Sequence, residues 1–562
     1  MQTSYHKAIS WLLFIVFCII YLGYFLPHST FYHADTGWQL YSAWSVLQPG
    51  HPTDFLSSLR PGYLLNVPLV ALFGTKLIVL RTVECVLSLG VLTIFFTGIE
   101  PSFRKQAALP WLLMLSLLCS MQFTDFMLSY YNAPWIFLAL ALGAFGWQQH
   151  SRGTGAKTVW LVVSALALSI VSMSNLALLP GAVLVAFFLG IWVKGRRCVL
   201  FWLVFALAMA LLLYGYLDGL GVGAQFATHK ARGDDSLLAT FFQQAHKAYI
   251  VCLIALIGLV VSWVAQFWVR HPRGMFRKHQ RFAVLTIALA IMALYSSCQV
   301  PADTAWYVAI IFGFVFLAIW LPLFYFSYRD TMTIPLQVRL LLFSVLAGLV
   351  ALNHAATSQN PSAMIIYLYL PLIWVPWVWR YAVIDAKWFG KIIMLLVIVG
   401  TALWSVLALN WTSLLTFPIS QNQVWDAMGQ RVTPTVAALE NRMQTLYKQY
   451  GCAHKFTFAF YDQPAWYVLN HRLAPFNQSW VSRIRFYPRN HQAGIAYVLP
   501  RVQQQKHWCV LYGSAAGWYA QGGSKSKDLA NVVTFLGTHS THTIALGKGV
   551  SDNVTWLTLF VN

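Results

Sequence analysis

Apolar runs of roughly 17–22 residues recur along this chain, and they constrain its fold more than any other feature. Each is long enough to cross about 30 Å of hydrocarbon as a helix. The runs fall at 9–26, 76–98, 107–124, 133–148, 158–174, 177–193, 199–216, 248–269, 282–297, 306–325, 337–352, 362–379 and 389–409, about 13 in all. Only 9% of the 562 residues are charged, far too few to keep a soluble protein of this length dispersed. The first run follows Lys7 as a signal peptide would, but no small-residue cleavage site comes after it, so it reads as a retained helix.

A net charge of +21 raises the question of nucleic acid. The placement of the charges answers it. Basic residues gather at the N-terminus (Lys7) and in alternate loops: Arg104 and Lys105, Arg152 and Lys157, Lys194 to Arg197, Arg270 to Arg281, Arg329 and Arg339, and Arg380, Lys387 and Lys391. Roughly 18 Lys and Arg lie in these segments, against about 5 in the other loops before residue 410. That asymmetry is the positive-inside bias, so the excess reflects topology, and no nucleic-acid partner is expected. The N-terminus is then cytoplasmic. The outer segments are 27–75, 125–132, 174–177, 217–247, 298–305, 353–361 and everything after 410.

After about residue 411 the composition changes. Residues 433–450 predict an amphipathic helix, with Pro434 at its first position behind Thr433 and a stripe of Val436, Leu439, Met443, Leu446 and Tyr450. Runs rich in β-formers follow at 455–461, 494–500, 507–513, 532–537, 542–546 and 554–562, separated by Gly, Pro and Asn. The expected fold is therefore a polytopic α-helical membrane protein with a C-terminal soluble α/β domain on the outer side. The division falls at 1–410 and 411–562. Six cysteines lie in or beside apolar runs and read as small packing residues. Cys452 and Cys509 lie in the polar region, where a disulfide is open in an oxidising compartment.

The first outer loop carries Asp35 and Asp54 in a chain very poor in acids. A carboxylate near a bilayer is costly to desolvate, so it has a partner or a function. Behind Asp35, Trp38, Tyr41 and Trp44 repeat every three residues and predict a short helix lying in the interface, its rings at headgroup depth. Gln48-Pro49-Gly50 ends it. The loop passes Asp54, Arg60 and Pro61-Gly62 before rising into the second span. A carboxylate where Asp35 stands can take a proton from an acceptor hydroxyl or ligate a cation.

The order D-x-G-W, helix, P-G-H-P-x-D-F, then P-G-Y-L-L and L-F-G resembles the first outer loop of the GT-C membrane glycosyltransferases. The branch it is most similar to holds the protein O-mannosyltransferases and the aminoarabinose transferase. The resemblance implies about 13 spans, an outer soluble domain, and transfer of a sugar from a polyprenyl-phosphate donor to a glycan, lipid or protein acceptor. It implies a catalytic or substrate-orienting role for Asp35, with Asp54 shaping the same pocket. Two further loops fit: Tyr131-Asn132 at a second polar site, and His354, Gln359 and Asn360 near the carrier phosphate. Many relatives pair two adjacent acids at the first motif where this chain has Asp35-Thr36, so a divalent metal is neither required nor excluded. No metal-ligand motif implies a cofactor.

Each candidate also has a plainer role. Asp35 is a favoured helix cap, and Asp54 pairs readily with Arg60. His33 can bond Asp35 or merely line the interface. Arg60 and Arg81 suit a phosphate clamp, yet Arg81 near a span end can also snorkel. His229, Lys230 and Arg232 can bind the carrier phosphate or form a solvated face. The expected location is the inner membrane of a bacterium, with the C-terminal domain periplasmic. The competing readings are a polymerase or ligase using a diphosphate-lipid donor, and a transporter or flippase. No Gly-rich phosphate loop argues for an ATP-driven pump. Transporters place charges mid-span and show inverted repeats, whereas Asp35 and Asp54 lie outside the spans.

Overall fold

The computed structural model describes residues 2–25, 34–49, 61–101, 103, 108–120, 128, 132–175, 178–193, 195–219, 350, 424–425, 428–429, 431–432, 434–460, 465–473, 500, 502–515, 533–547 and 554–562. The expected spans from 248 to 409 lie outside the described residues, Val350 apart.

Among the described residues the helices follow the apolar runs closely. Helix α1 spans Gln2–Ile20 and widens into a π-helical turn at Tyr21–Phe25. Helix α2 (Ala34–Val46) is the expected loop helix. It closes with short-range bonds from Leu47 N–H to Trp44 O and from Gln48 N–H to Ser45 O, both 3.0 Å, and Pro49 then bars continuation. A 3-10 turn, Pro61–Asn66, leads into α3 (Val67–Phe73), which carries Pro68 in its first turn. Gly74 ends α3 at φ 74°, a conformation that glycine adopts without strain, and its N–H bonds Val70 O at 2.9 Å. Then come α4 (Leu77–Ile99), α5 (Ala108–Ser120), α6 (Asn132–His150), α7 (Thr154–Ser174), α8 (Leu179–Trp192) and α9 (Arg196–Tyr214). Among the described residues, four stretches are long and apolar enough to cross a membrane: Tyr5–Gly23, Leu77–Ile99, Thr154–Ser174 and Arg196–Leu217.

Helices α4, α6, α7 and α9 pack in sequence. Small residues set the closest approach. Gly98 of α4 meets Gly143 and Gly146 of α6, and a Cβ at Gly143 would lie 2.6 Å from Phe95 Cα. Lipid chains are as apolar as the helices, so van der Waals fit and interhelical hydrogen bonds hold such crossings. Ser164 Oγ donates to Ala141 O at 2.9 Å, and Ser169 Oγ donates to Phe205 O at 3.2 Å.

Toward the C-terminus, a small hairpin pairs β1 (Val424–Trp425) with β2 (Arg431–Val432). Helix α10 (Pro434–Gln449) starts at the expected proline. It buries Leu439, Met443 and Tyr447, and Leu446 and Tyr450 pack partly behind them. Next are β3 (Phe456–Phe460), α11 (Ala465–Leu469), β4 (Trp508–Ala515), a helix α12 over 533–539, β5 (His542–Gly547) and β6 (Val554–Val561). The sheet order is β3-β4-β6-β5; β3 runs parallel to β4, and β6 is antiparallel to both its neighbours.

The run 532–537, expected as a strand, is largely helical. Strands β4 and β5 flank β6 and point the same way, so the chain between them must cross back over the sheet. Helix α12 lies on that return, with Phe535 6.4 Å from Trp508 ring to ring. Topology here overrides the β preference of two valines and a threonine. The run 494–500 lies outside the described residues, Pro500 apart. Cys452 and Cys509 are bonded, their Cα atoms 5.7 Å apart, and the disulfide ties the end of α10 to β4.

One apolar core joins the two ends of the chain. It contains Leu40, Tyr41, Ala43 and Trp44 of α2, Val70 of α3, and Leu77 and Leu80 of α4. It also contains Met428, Met443, Tyr447, Cys452, Trp466, Tyr467, Cys509 and Leu557. Leu77 N–H donates to Met428 O at 2.9 Å, which pins the β1–β2 turn to the first turn of α4. The expectation that α2 lies with its rings among headgroups is corrected. Trp38, Tyr41 and Trp44 are 2%, 1% and 6% exposed, covered by protein. An isolated 13-residue helix is marginal in water. Burial of three aromatic side chains, worth about 2 kcal/mol or more each, is what holds α2 in place.

Candidate active site

Asp35 is the second residue of α2, so the backbone carries it at the helix start, where an acid is electrostatically favoured. Gln39 stands one turn later on the same face. It is buried, and its carboxamide oxygen has no hydrogen-bond partner among the described residues. Gln39 was not among the sequence candidates; its spacing of four from Asp35 was the available signal.

The turn Pro61–Asn66 gathers the ends of several helices. Asn66 is fully buried. Its amide nitrogen donates to Leu128 O at 2.6 Å, and its carbonyl oxygen accepts from Leu128 N–H at 3.2 Å. This reciprocal clamp joins the ascent of the first loop to the 125–132 loop. Leu64 packs with Met173 at the end of α7 and with Tyr216 beyond α9. Tyr63 lies within electrostatic reach of Tyr216. The first loop, Leu128 and the ends of α7 and α9 thus meet at one turn, which ends 11 residues before α4 begins.

Of the expected site residues, Arg81 and Asn132 are described with their side chains. Arg81 is 1% exposed, buried inside the bundle about 6 Å along α4 from Leu77. Its guanidinium does not snorkel to lipid. Glu84, one turn deeper on the same helix, is also buried. Both lie within electrostatic reach of Tyr21, at the C-terminal end of α1. Tyr21 packs with Cys85 and Leu117. Sequence reasoning passed over Glu84, although it is the single Asp or Glu inside any of the expected spans. Its position in an apolar run was the signal. Asn132 begins α6 and is buried, and its Oδ1 accepts from Trp135 Nε1 at 3.4 Å. That bond serves its own helix.

His33, Asp54, Arg60, Tyr131, His229, Lys230, Arg232, His354, Gln359 and Asn360 lie outside the described residues. Among the described residues, no group of three or more His, Cys, Asp or Glu side chains converges as a metal site would.

No family model matches the chain, and no curated protein matches it. Solved structures do. The archaeal oligosaccharyltransferase AglB from Archaeoglobus fulgidus, in complex with an inhibitory peptide and a dolichol-phosphate, is 12% identical, with a TM-score of 0.44 over 91% of this chain and 69% of that one. The oligosaccharyltransferase of the same organism in complex with Zn and sulfate is 12% identical, with a TM-score of 0.45 over 90% of this chain and 67% of that one. ArnT from Cupriavidus metallidurans bound to undecaprenyl phosphate is 12% identical, with a TM-score of 0.41 over all of this chain and 98% of that one. All three likenesses are distant. At TM-scores under 0.5 they assign neither activity nor residue roles to this chain.

Proposed function

We propose that this protein is a membrane glycosyltransferase that moves a sugar from a polyprenyl-phosphate donor to an acceptor hydroxyl at the outer face of the membrane. The observation that supports the reading is the setting of Asp35. It begins a helix whose body is locked in a dry core, beside a turn on which several loop ends converge. A general base needs such fixed placement, because only a well-oriented carboxylate meets the acceptor proton in the transition state.

In the proposed reaction Asp35 takes the proton of the acceptor hydroxyl. The acceptor oxygen attacks the anomeric carbon, and the bond from that carbon to the phosphate oxygen breaks. The electron pair leaves with the polyprenyl phosphate. One displacement inverts the anomeric centre, as the resemblance implies. Arg60 and Arg81 are the cations proposed to offset the charge on the departing phosphate. His229, Lys230, Arg232, His354, Gln359 and Asn360 are proposed for the carrier side, and His33, Asp54, Tyr131 and Asn132 for the acceptor side. The Cys452–Cys509 disulfide supports an oxidising compartment for the C-terminal segment, hence the outer side. In an in vitro transfer assay, Asp35→Asn should lose at least about 100-fold in turnover with the fold intact. Near-wild-type turnover by that variant would falsify the assignment.

A transporter remains the second reading because Arg81 and Glu84 are buried inside a span, where transport proteins keep their charges. Uptake of labelled polyprenyl-phosphate sugar into sealed vesicles, without sugar transfer, would favour it.

A further inference from the structure

We propose that Tyr467 is a positioning residue for Asp35: from α11 it holds α2 against the C-terminal sheet and so sets where the first turn of α2 stands. The role of Asp35 rests on the transferase reading; the hold on α2 does not. Tyr467 is fully buried, and its ring lies 5.6 Å from that of Tyr41, centroid to centroid. Its hydroxyl accepts a hydrogen bond from Ala459 N–H at 2.8 Å, which fixes it to β3. Next to it, Trp466 meets Tyr447 of α10 edge to face at 5.5 Å. The five residues of α11 are therefore fastened to the sheet and α10 on one side and to α2 on the other. Asp35 precedes Tyr41 by six residues, about 9 Å along the axis. A tilt of about 6° at Tyr41 then moves the start of α2 by about 1 Å, an error that can cost about 100-fold in rate.

The test uses the full chain in detergent with Tyr467→Phe and Tyr467→Leu. Amide exchange across residues 37–46 should rise at least about tenfold in Tyr467→Leu. Exchange across α7 should not change, and Tyr467→Phe, which keeps the ring, should show a much smaller rise. Turnover in a transfer assay should fall in Tyr467→Leu at unchanged KM for the polyprenyl-phosphate sugar. In an Asp35→Asn background, Tyr467→Leu should cause no further loss of turnover. Unchanged exchange across 37–46 overturns the proposal whatever the chain catalyses, and additive losses overturn the link to Asp35. Faster exchange in a protein that transfers no sugar supports the hold on α2 and sinks the transferase reading instead. If Tyr467→Leu does not fold, Tyr467→Met carries the same comparison, with an intermediate rise expected.

Discussion

Removing the Cys452–Cys509 disulfide should loosen both the C-terminal sheet and the first-loop helix. The bridge spans 57 residues of sequence. Closing a loop of that size removes about 14 cal/mol/K of chain entropy from the unfolded state, or about 4 kcal/mol at room temperature. Strain and residual unfolded structure reduce this, so about 2–4 kcal/mol is expected for Cys452→Ala/Cys509→Ala. In a segment of this size each kcal/mol shifts the midpoint by roughly 2–4 °C, which gives a fall of roughly 5–15 °C. The assay is thermal unfolding of the full chain in detergent, with amide exchange followed separately in β4 and in α2. Both cysteines share the core of Leu40, Tyr41 and Trp44, so α2 should loosen together with β4. Both are also fully buried. A mild reductant should therefore leave the native bond intact and act only as the module opens. A midpoint within about 2 °C of wild type would refute the entropic argument. Exchange that rises in β4 but not in α2 would refute the shared core.

Two further perturbations probe the scaffold of the site. Asn66→Ala should cost about 2 kcal/mol or more, because it leaves the buried N–H and C=O of Leu128 unpaired. Asn66→Asp should not rescue it, since a carboxylate cannot donate to Leu128 O; a denaturation midpoint equal to wild type for either variant contradicts the clamp. Gly143→Ala should force α4 and α6 apart at Phe95, at about 1–3 kcal/mol or more, and a variant with wild-type thermal stability would show that the helices do not cross there.

The helices of the first half were legible because bilayer thickness fixes their length, and the ends of α4 and α7 fall close to the expected bounds. The start of α10 was legible because Pro434 is favourable at a first helical position and nowhere deeper. The fate of 533–539 was not, since it follows from strand order, which is a relation among segments that local propensity does not contain. Glu84 was visible and undervalued: attention to loop acids hid the one acid inside an apolar run.

The misplacement of α2 is the most instructive difference. An aromatic stripe suits either a headgroup layer or a protein core, because both accept a ring with a polar edge. The opposite face of the helix decides between them. An interfacial helix keeps a wet face that is rich in Lys and Arg. Here the polar residues that follow each ring are Gln39, Ser42 and Ser45, uncharged and buried along with them. From Gly37 to Gln48 the chain carries no charge at all. A helix with no face fit for water belongs between protein layers, and the layer available to cover it is the C-terminal sheet with α11. The base proposed for the reaction and the segment that fastens its helix therefore stand more than 400 residues apart in sequence, at Asp35 and Tyr467. A chain cut at the boundary near residue 411 would keep Asp35 and lose the ring that holds its helix.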